Sequence, residues 1–295
     1  MKADARNLIM NLLLGAAGRR LAAREAVASC ALFGIRENSV RVALVRLSAA
    51  GLVEAVGRGE YRLGPSAERL AADVATWRDA ERRVRDWNGG WIAVHVGGLG
   101  RSDRIALRAR ARALDLLGLR ELDRGLFVRP DNLVGGVAVA RERLAKLGLE
   151  PEAAVFVASD LDAVRERRAV ALWNGPALSR AYRDTRSLLD TWLAGAESLA
   201  LDVAARESFL LGNDAIRRLV FDPLLPAPLV DVEARRAFVD TLVRFDAAGH
   251  AIWNRFLRDG VPRRANARVR PASDRMRPPR DASRPVITAT QETPS

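Results

Sequence analysis

Apolar residues recur at helical spacing in three short segments near the start of the chain, and they predict three helices. The first covers Arg6–Leu14 and the second Leu21–Leu32. The third runs through Ser39–Leu47, where apolar residues three and four positions apart share one face, namely Val40, Ala43, Leu44 and Leu47. The turn Phe33-Gly34-Ile35 separates the second helix from the third. A helix, a glycine-containing turn and another helix are the order of a helix-turn-helix.

After the third helix the pattern changes to two short extended segments. These are Leu52–Val56 and Tyr61–Leu63, and they bracket the tight-turn sequence Gly57-Arg58-Gly59. A hairpin at this place adds a wing with an arginine at its tip. We therefore expect a winged helix-turn-helix over residues 1–64. The alternative is a small helical domain whose basic face is merely solvated.

Residues 89–170 alternate between strand and helix patterns and form a predicted middle domain. The predicted strands and helices are, in chain order, Trp91–Val96, Ser102–Leu117, Leu119–Leu122, Gly125–Arg129, Gly136–Leu147 and Ala153–Ala158. The order strand-helix-strand-strand-helix-strand is that of a ferredoxin-like sandwich.

Three further segments complete the predicted organisation, which as a whole is multidomain and α+β. Ser66 is a suitable cap for a helix over Ala67–Asp86, so residues 65–88 are expected to be a linker helix. Residues 171–258 are expected to be a helical C-terminal domain, with predicted helices Pro176–Leu193, Glu197–Val220 and Asp231–Arg258. Residues 259–295 are rich in Arg, Pro, Ala, Ser and Thr, which predicts a disordered basic tail.

Composition narrows the class of partner. Hydrophobic residues make up 49% of the 295-residue chain and charged residues 28%, a mixture typical of a globular protein with a substantial core. The net charge of +12 favours a polyanionic partner, although a GC-rich genome would also enrich arginine. Cys30 is the sole cysteine, so an intrachain disulfide is impossible, and we expect a core position for it. Neither an N-terminal signal nor an apolar run of about 18 residues occurs, so we expect a cytoplasmic protein with no membrane partner.

The outer face of the third helix supplies candidate contacts to double-stranded DNA. It is small, polar and basic, and an arginine fork can bond two acceptors on guanine while short polar side chains contact phosphate. The candidate DNA-binding residues, with those of the wing, are Arg36, Asn38, Ser39, Arg41, Val42, Val45, Arg46, Arg58, Tyr61 and Arg62.

Candidate catalytic chemistry is scarce. His95 and His250 lack the paired spacing of a metal site. The first strand of the middle domain is followed by no carboxylate before Asp103, whereas a metal-dependent nuclease of this fold needs one there. We therefore expect no catalytic, cofactor-binding or metal-binding residues and no enzyme. A metal-dependent nuclease and a non-specific architectural DNA-binding protein are the alternatives.

Several longer motifs lie at characteristic positions along the chain. They are Ser39–Leu44 with Arg46-Leu47, Tyr61–Leu63, Trp87–Trp91, Leu126–Leu133, Leu172-Trp173 with Leu178, Tyr182 and Arg183, and Asp222–Pro226. In these the chain resembles the PaaX-type phenylacetate-pathway repressors. It departs from their pattern at Leu229-Val230-Asp231, where tryptophan-proline-glycine is usual, and at Val45, where serine is usual.

The resemblance implies a homodimeric winged-helix repressor. Such a protein would release its DNA operator on binding an aryl-coenzyme A thioester such as phenylacetyl-coenzyme A. An aryl thioester needs an apolar slot for its ring and arginines for its phosphates. The candidate effector-binding residues, between the middle and helical domains, are Arg129, Trp173, Tyr182, Arg183 and Trp192. The alternative is that the aromatic residues pack in the core and Arg129 forms a salt bridge.

Overall fold

The N-terminal part combines helices with a small antiparallel sheet. The computed structural model describes residues 4–15, 20–67, 76–100 and 102–259. The elements of the N-terminal part are α1 (Ala5–Gly15), β1 (Leu21–Ala22), α2 (Ala23–Ala31), α3 (Glu37–Ala49), β2 (Val53–Gly57) and β3 (Glu60–Leu63). The strands lie in the order β1-β3-β2.

The first strand corrects the predicted second helix. Leu21 and Ala22 are extended and pair with Tyr61 and Glu60, so the helix begins at Ala23 instead of Leu21. The Glu25 carboxylate accepts a hydrogen bond from the Ala22 backbone N–H at 3.0 Å, which satisfies a donor at the helix start. Pairing with β3 therefore outweighs the helical pattern of the first two residues.

The inner faces of α1, α2 and α3 meet in one apolar core. Val40, Ala43, Leu44 and Leu47 are all buried, which confirms the predicted inner face of α3. Gly34 has φ +70°, a left-handed conformation that favours glycine, and it lets the chain turn between α2 and α3.

The predicted helix over Ala67–Asp86 is only partly covered, because residues 68–75 lie outside the described ranges. Its last part is not α-helical. Thr76–Asp79 and Glu81–Arg83 are short 3₁₀ helices, and Val84 is extended and bridges to Leu133. The prediction is wrong for this part, because the segment forms 3₁₀ turns and then pairs through Val84 with Leu133, which follows β6.

The central sheet has the predicted order of elements. They are β4 (Trp91–His95), α4 (Arg104–Leu116), β5 (Arg120–Asp123), β6 (Leu126–Pro130), α5 (Gly136–Lys146) and β7 (Ala154–Ala158). The strands are antiparallel in the order β5-β6-β4-β7. Apolar side chains of α4 and α5 pack on one face of the sheet, together with Ile92 and Val94 of β4.

Helices cover the other face of the sheet. They are α6 (Ala163–Val170), α7 (Gly175–Gly195), α8 (Leu201–Val220) and α9 (Val232–Asp259). Their core is continuous with the sheet residues Trp91, Ala93 and Val128. The sequence did not predict α6, and the predicted start of α8 at Glu197 is wrong, because a 3₁₀ turn over Ala196–Ser198 precedes it.

The described part of the chain thus mixes helices with two small sheets, which confirms an α+β protein. No described helix is both long and apolar enough to cross a lipid bilayer. From residue 260 onward the predicted basic tail lies outside the described ranges.

Candidate nucleic-acid interface

The outer face of α3 is open to solvent along its whole length. Asn38, Ser39, Arg41 and Arg46 are exposed. The apolar residues on this face are exposed too, with Val45 at 69%. The buried inner face anchors α3, so the outer side chains stand on a rigid support.

Arg41 has a partner one helical turn away. Its Nε donates to Oε1 of Glu37 at 3.0 Å, and both side chains are exposed. An exposed pair at this spacing contributes only about 0.3–0.5 kcal/mol, so a phosphate or a guanine edge can replace Glu37. Arg46 forms no ion pair with any described residue, which leaves its guanidinium available.

The N-terminus of α3 adds further positive character. Arg36 occupies the cap position with an extended backbone, an exposed side chain and no capping bond. The unpaired N–H groups of a first helical turn carry partial positive charge and suit an anion such as phosphate. Arg36 therefore lies beside a surface that favours a DNA backbone.

The hairpin places one arginine at its tip. Arg58 is exposed in the turn, next to Gly59 with φ +75°. Arg62 is exposed on β3 and pairs with Glu54 of β2. Tyr61 is half-buried and packs on the N-terminal core, so its ring supports the hairpin.

Three acidic residues at this surface were not singled out by the sequence analysis. Glu37, Glu54 and Glu60 pair with Arg41, Arg62 and Arg20 respectively. The spacing of four between Glu37 and Arg41 is a recognisable helical signal. The two hairpin pairs depend on strand register, which the sequence does not give.

Arg129, the first candidate effector residue, is deeply buried. Its guanidinium donates to the carbonyl oxygens of Leu117, Pro130 and Pro223 and to Oδ1 of Asn132, the last at 2.9 Å. Burial lowers the pKa of Arg129 to about 9, which still leaves it a cation at neutral pH. Its donors are already engaged by the protein.

The three aromatic candidates pack at separate places. Trp173 stacks on Trp91 with ring centroids 6.2 Å apart. Tyr182 donates to Oδ2 of the half-buried Asp222 at 2.6 Å. The ring centroids of Trp192 and Phe245 are 4.8 Å apart, and Nε1 of Trp192 donates to Oε2 of Glu207.

Arg183 is the one exposed member of the candidate effector set, and it pairs with Asp231 at 3.0 Å. A groove of about 520 Å³ lies elsewhere, between α4 and the β5–β6 edge, and none of the five candidates lines it. This arrangement favours core packing for the aromatic residues. Arg129 bonds to carbonyl oxygens and to Asn132, and it does not form the salt bridge of the alternative interpretation with any described residue.

Within the described ranges no three His, Cys, Asp or Glu side chains come together as a metal ion would require. His95 ends β4 and is exposed.

Taken together, the chain is an α+β protein that presents a basic helix and an adjoining hairpin near its N-terminus. Two family models match it, one described as PaaX-like protein over residues 4–67 and the other as PaaX-like protein C-terminal domain over residues 173–255. The chain belongs to the PaaX-like family. Membership suggests a transcriptional regulator of phenylacetate catabolism, and regulators of this family bind DNA.

A solved structure shares the fold. It is the uncharacterized protein Rv0674 from Mycobacterium tuberculosis, which is 24% identical and gives a TM-score of 0.55 over 84% of this chain and 99% of that one. None of the curated proteins compared with the chain matches it.

Proposed function

We propose that this protein is a sequence-specific DNA-binding repressor of phenylacetate catabolic genes and that an aryl-coenzyme A thioester releases it from its operator. The observation that carries the proposal is the solvent-exposed outer face of α3, where, among the described residues, Arg41 pairs only with the exposed Glu37 and Arg46 forms no ion pair. In this proposal residues 4–67 are a winged helix-turn-helix, α3 enters the major groove, and Arg58 contacts the backbone from the wing.

Two features support the winged-helix assignment. The order helix, strand, helix, helix, strand, strand places the hairpin directly after α3. The two-residue strand β1 joins the hairpin as a third strand, which holds the wing beside α2. The exposed arginines then lie on the recognition helix and at the wing tip.

The DNA test combines operator selection with three single variants. Duplexes selected from random DNA should share one sequence, and Arg41→Ala should weaken binding to it by about 1–3 kcal/mol if Arg41 contacts a guanine. Arg58→Ala should weaken all duplexes alike and flatten the salt dependence. Arg6→Ala, an exposed arginine on α1, is the control and should change neither. Selection that returns no common sequence would contradict the proposal and favour an architectural DNA-binding protein.

We also propose a homodimer with a ferredoxin-like scaffold, because a two-fold operator needs two recognition helices about one DNA turn apart. The sheet order β5-β6-β4-β7 supports the scaffold assignment. The edge strand β7 offers a surface for a second copy, since Phe156 is 41% and Val157 48% exposed. Sedimentation should give the mass of two chains, and Phe156→Arg should lower it to one. A monomer bound to a single half-site would contradict this part.

The effector test uses release of the operator. Phenylacetyl-coenzyme A should displace the protein from its operator, whereas coenzyme A alone should not. Among the candidate residues Arg183 is the informative one, because it is exposed and Arg183→Ala should leave the fold intact. A loss of effector response in this variant would support contact with the thioester. An operator complex that persists at saturating thioester would remove the effector from the proposal.

A further inference from the structure

The outer face of α4 carries a stripe of arginines outside the proposed winged helix. Arg104, Arg108 and Arg112 follow one another at intervals of four residues, so they lie one above the other along the helix. All three are exposed, and none forms an ion pair with a described residue. We call Arg104, Arg108 and Arg112 the α4 stripe.

The arginine that α4 buries is neutralised by a carboxylate from another part of the central unit. Arg110, on the inner face, is 7% exposed, and its Nη2 lies 2.5 Å from Oε1 of Glu150. The acid at the end of α4, Asp115, lies 2.7 Å from Arg120. The carboxylate of Asp103 accepts from the backbone N–H groups of Ile105 and Ala106. These three carboxylates are thus engaged elsewhere, and the stripe keeps its charge.

Electrostatic repulsion makes the α4 stripe unfavourable in the chain without a partner. Like charges four residues apart repel, and Arg104 at the first helical position also faces the positive end of the helix dipole. In helices α7 and α8, by contrast, Arg186 and Arg218 each form an ion pair with an aspartate four residues away. An anionic partner would turn the repulsion along α4 into attraction.

A DNA duplex matches the stripe in charge and length. Eight residues of helix from Arg104 to Arg112 span about 12 Å. A duplex of that length carries about seven phosphates. Three guanidinium groups along one line can therefore each reach a phosphate without any base contact.

We propose that the α4 stripe binds the sugar-phosphate backbone of duplex DNA that flanks the operator. This inference rests on the proposed function, because it assumes that the protein binds an operator in duplex DNA. The stripe belongs to the central sheet unit, on the face opposite the C-terminal helices. It therefore forms a second contact surface, separate from α3, and lengthens the DNA that one protein covers.

The experiment compares two triple variants of the full chain. In the first, Arg104, Arg108 and Arg112 are each changed to Gln. In the control, Arg167, Arg180 and Arg206 are changed to Gln, because these are also exposed on helices and form no ion pair with a described residue. Both variants lose the same charge, and circular dichroism checks that both are folded.

Affinity is measured from low to high salt on the selected operator, bare or with long random flanks. On the flanked duplex the stripe variant should bind about tenfold or more weakly at low salt, and its log–log salt slope should be shallower by about 2–3 per chain. On the bare operator it should match the control. Equal slopes for the two variants on the flanked duplex would overturn the proposal, as would an equal loss on the bare operator.

Two further outcomes distinguish failure of the α4-stripe proposal from failure of the proposed function. If selection finds no operator but the stripe variant still loses affinity for long random duplexes, the proposed function fails and the stripe assignment stands. Ile105 is 81% exposed beside the stripe, so a lipid surface is the competing partner. Stripe-dependent binding to phosphatidylserine vesicles, with an unchanged DNA salt slope, would overturn the DNA assignment.

Discussion

The N-terminal part and the central sheet both pack against the C-terminal helices, but they do so in different ways. The N-terminal part meets these helices through isolated contacts, such as Phe33 against Phe209 at 5.3 Å and Asn11 Nδ2 to Asn213 Oδ1 at 3.3 Å. The sheet shares one continuous apolar core with them. A small contact can open at low cost, whereas a shared core opens only when both partners unfold.

Buried polar groups strengthen the sheet junction further. Asn132 donates to the Leu224 carbonyl oxygen at 2.7 Å, and Arg129 donates to that of Pro223 at 3.2 Å. A buried donor that loses its acceptor costs about 1–3 kcal/mol. The central sheet and the C-terminal helices therefore behave as one body, to which the N-terminal part is attached.

The chain carries separate probes for the two bodies. Cys30 is buried in the N-terminal core, and burial raises the pKa of its thiol to about 12. It should therefore react with a thiol reagent only after the N-terminal part opens. All six tryptophans lie between residues 77 and 253. Their fluorescence follows the central and C-terminal body.

The largest effect is expected at Arg235, which is 1% exposed and donates to Glu81 at 2.7 Å and to the Leu225 carbonyl oxygen. Arg235→Met should lower the free energy of unfolding, measured by tryptophan fluorescence, by about 3–5 kcal/mol, because Glu81 loses its buried partner. The neighbour Arg236 also approaches Glu81 but is exposed, so Arg236→Met should cost below about 0.5 kcal/mol. Equal losses would contradict the buried junction.

A smaller and pH-dependent effect is expected at Tyr182. Its hydroxyl donates to Asp222, whose pKa burial raises above its ordinary value. Tyr182→Phe removes that donor and raises the pKa of Asp222 further. Because the unfolded carboxyl then ionises at lower pH than the folded one, the variant should lose stability progressively as pH rises from about 4.

At neutral pH Tyr182→Phe should lower the free energy of unfolding by about 2 kcal/mol, and this loss should become smaller as the pH is lowered. Urea unfolding at several pH values measures it. The control is Tyr61→Phe, since the Tyr61 hydroxyl bonds to no described residue. A pH-independent loss would show that Asp222 is not involved.

Substitution of Phe209 should change the Cys30 labelling rate but not the unfolding midpoint measured by tryptophan fluorescence. Its ring contacts Phe33 and Trp253, so Phe209→Ala should weaken the N-terminal contact by about 1 kcal/mol. Cys30 labelling should accelerate several-fold, while the denaturant midpoint by fluorescence changes little. Phe221→Ala, at an exposed position after α8, should leave labelling unchanged. A parallel shift of both probes would show that the two bodies open together.

The smallest effect is expected at His250. Nδ1 lies 2.7 Å from the Asp246 carbonyl oxygen and Nε2 lies 2.5 Å from that of Gly15. The ring therefore joins α9 to Gly15, the last residue of α1. His250→Ala removes this link and should raise the Cys30 labelling rate about twofold to threefold. An unchanged labelling rate in this variant would exclude the role.

Local patterns allowed part of this architecture to be predicted. The buried face of α3 follows from spacing within one helix, and the sheet order of elements follows from alternating patterns. The 3₁₀ turns before β4 were missed, since the segment is followed by a bridge from Val84 to the distant Leu133. The helix α6 was missed because it is short and rich in charge. Whether Arg129 faces a ligand or carbonyl oxygens is decided by chain segments 94 residues apart, which no local pattern reveals.

The two-residue strand β1 has a mechanical consequence. It pairs Leu21 with Tyr61, and the Ala23 N–H donates to the Gly59 carbonyl oxygen at 2.7 Å, so α2 starts directly from the hairpin. With α3 packed on α2, the hairpin and both helices form a rigid block. A signal from elsewhere in the chain can translate or rotate that block, but the distance between the outer face of α3 and the hairpin tip stays fixed.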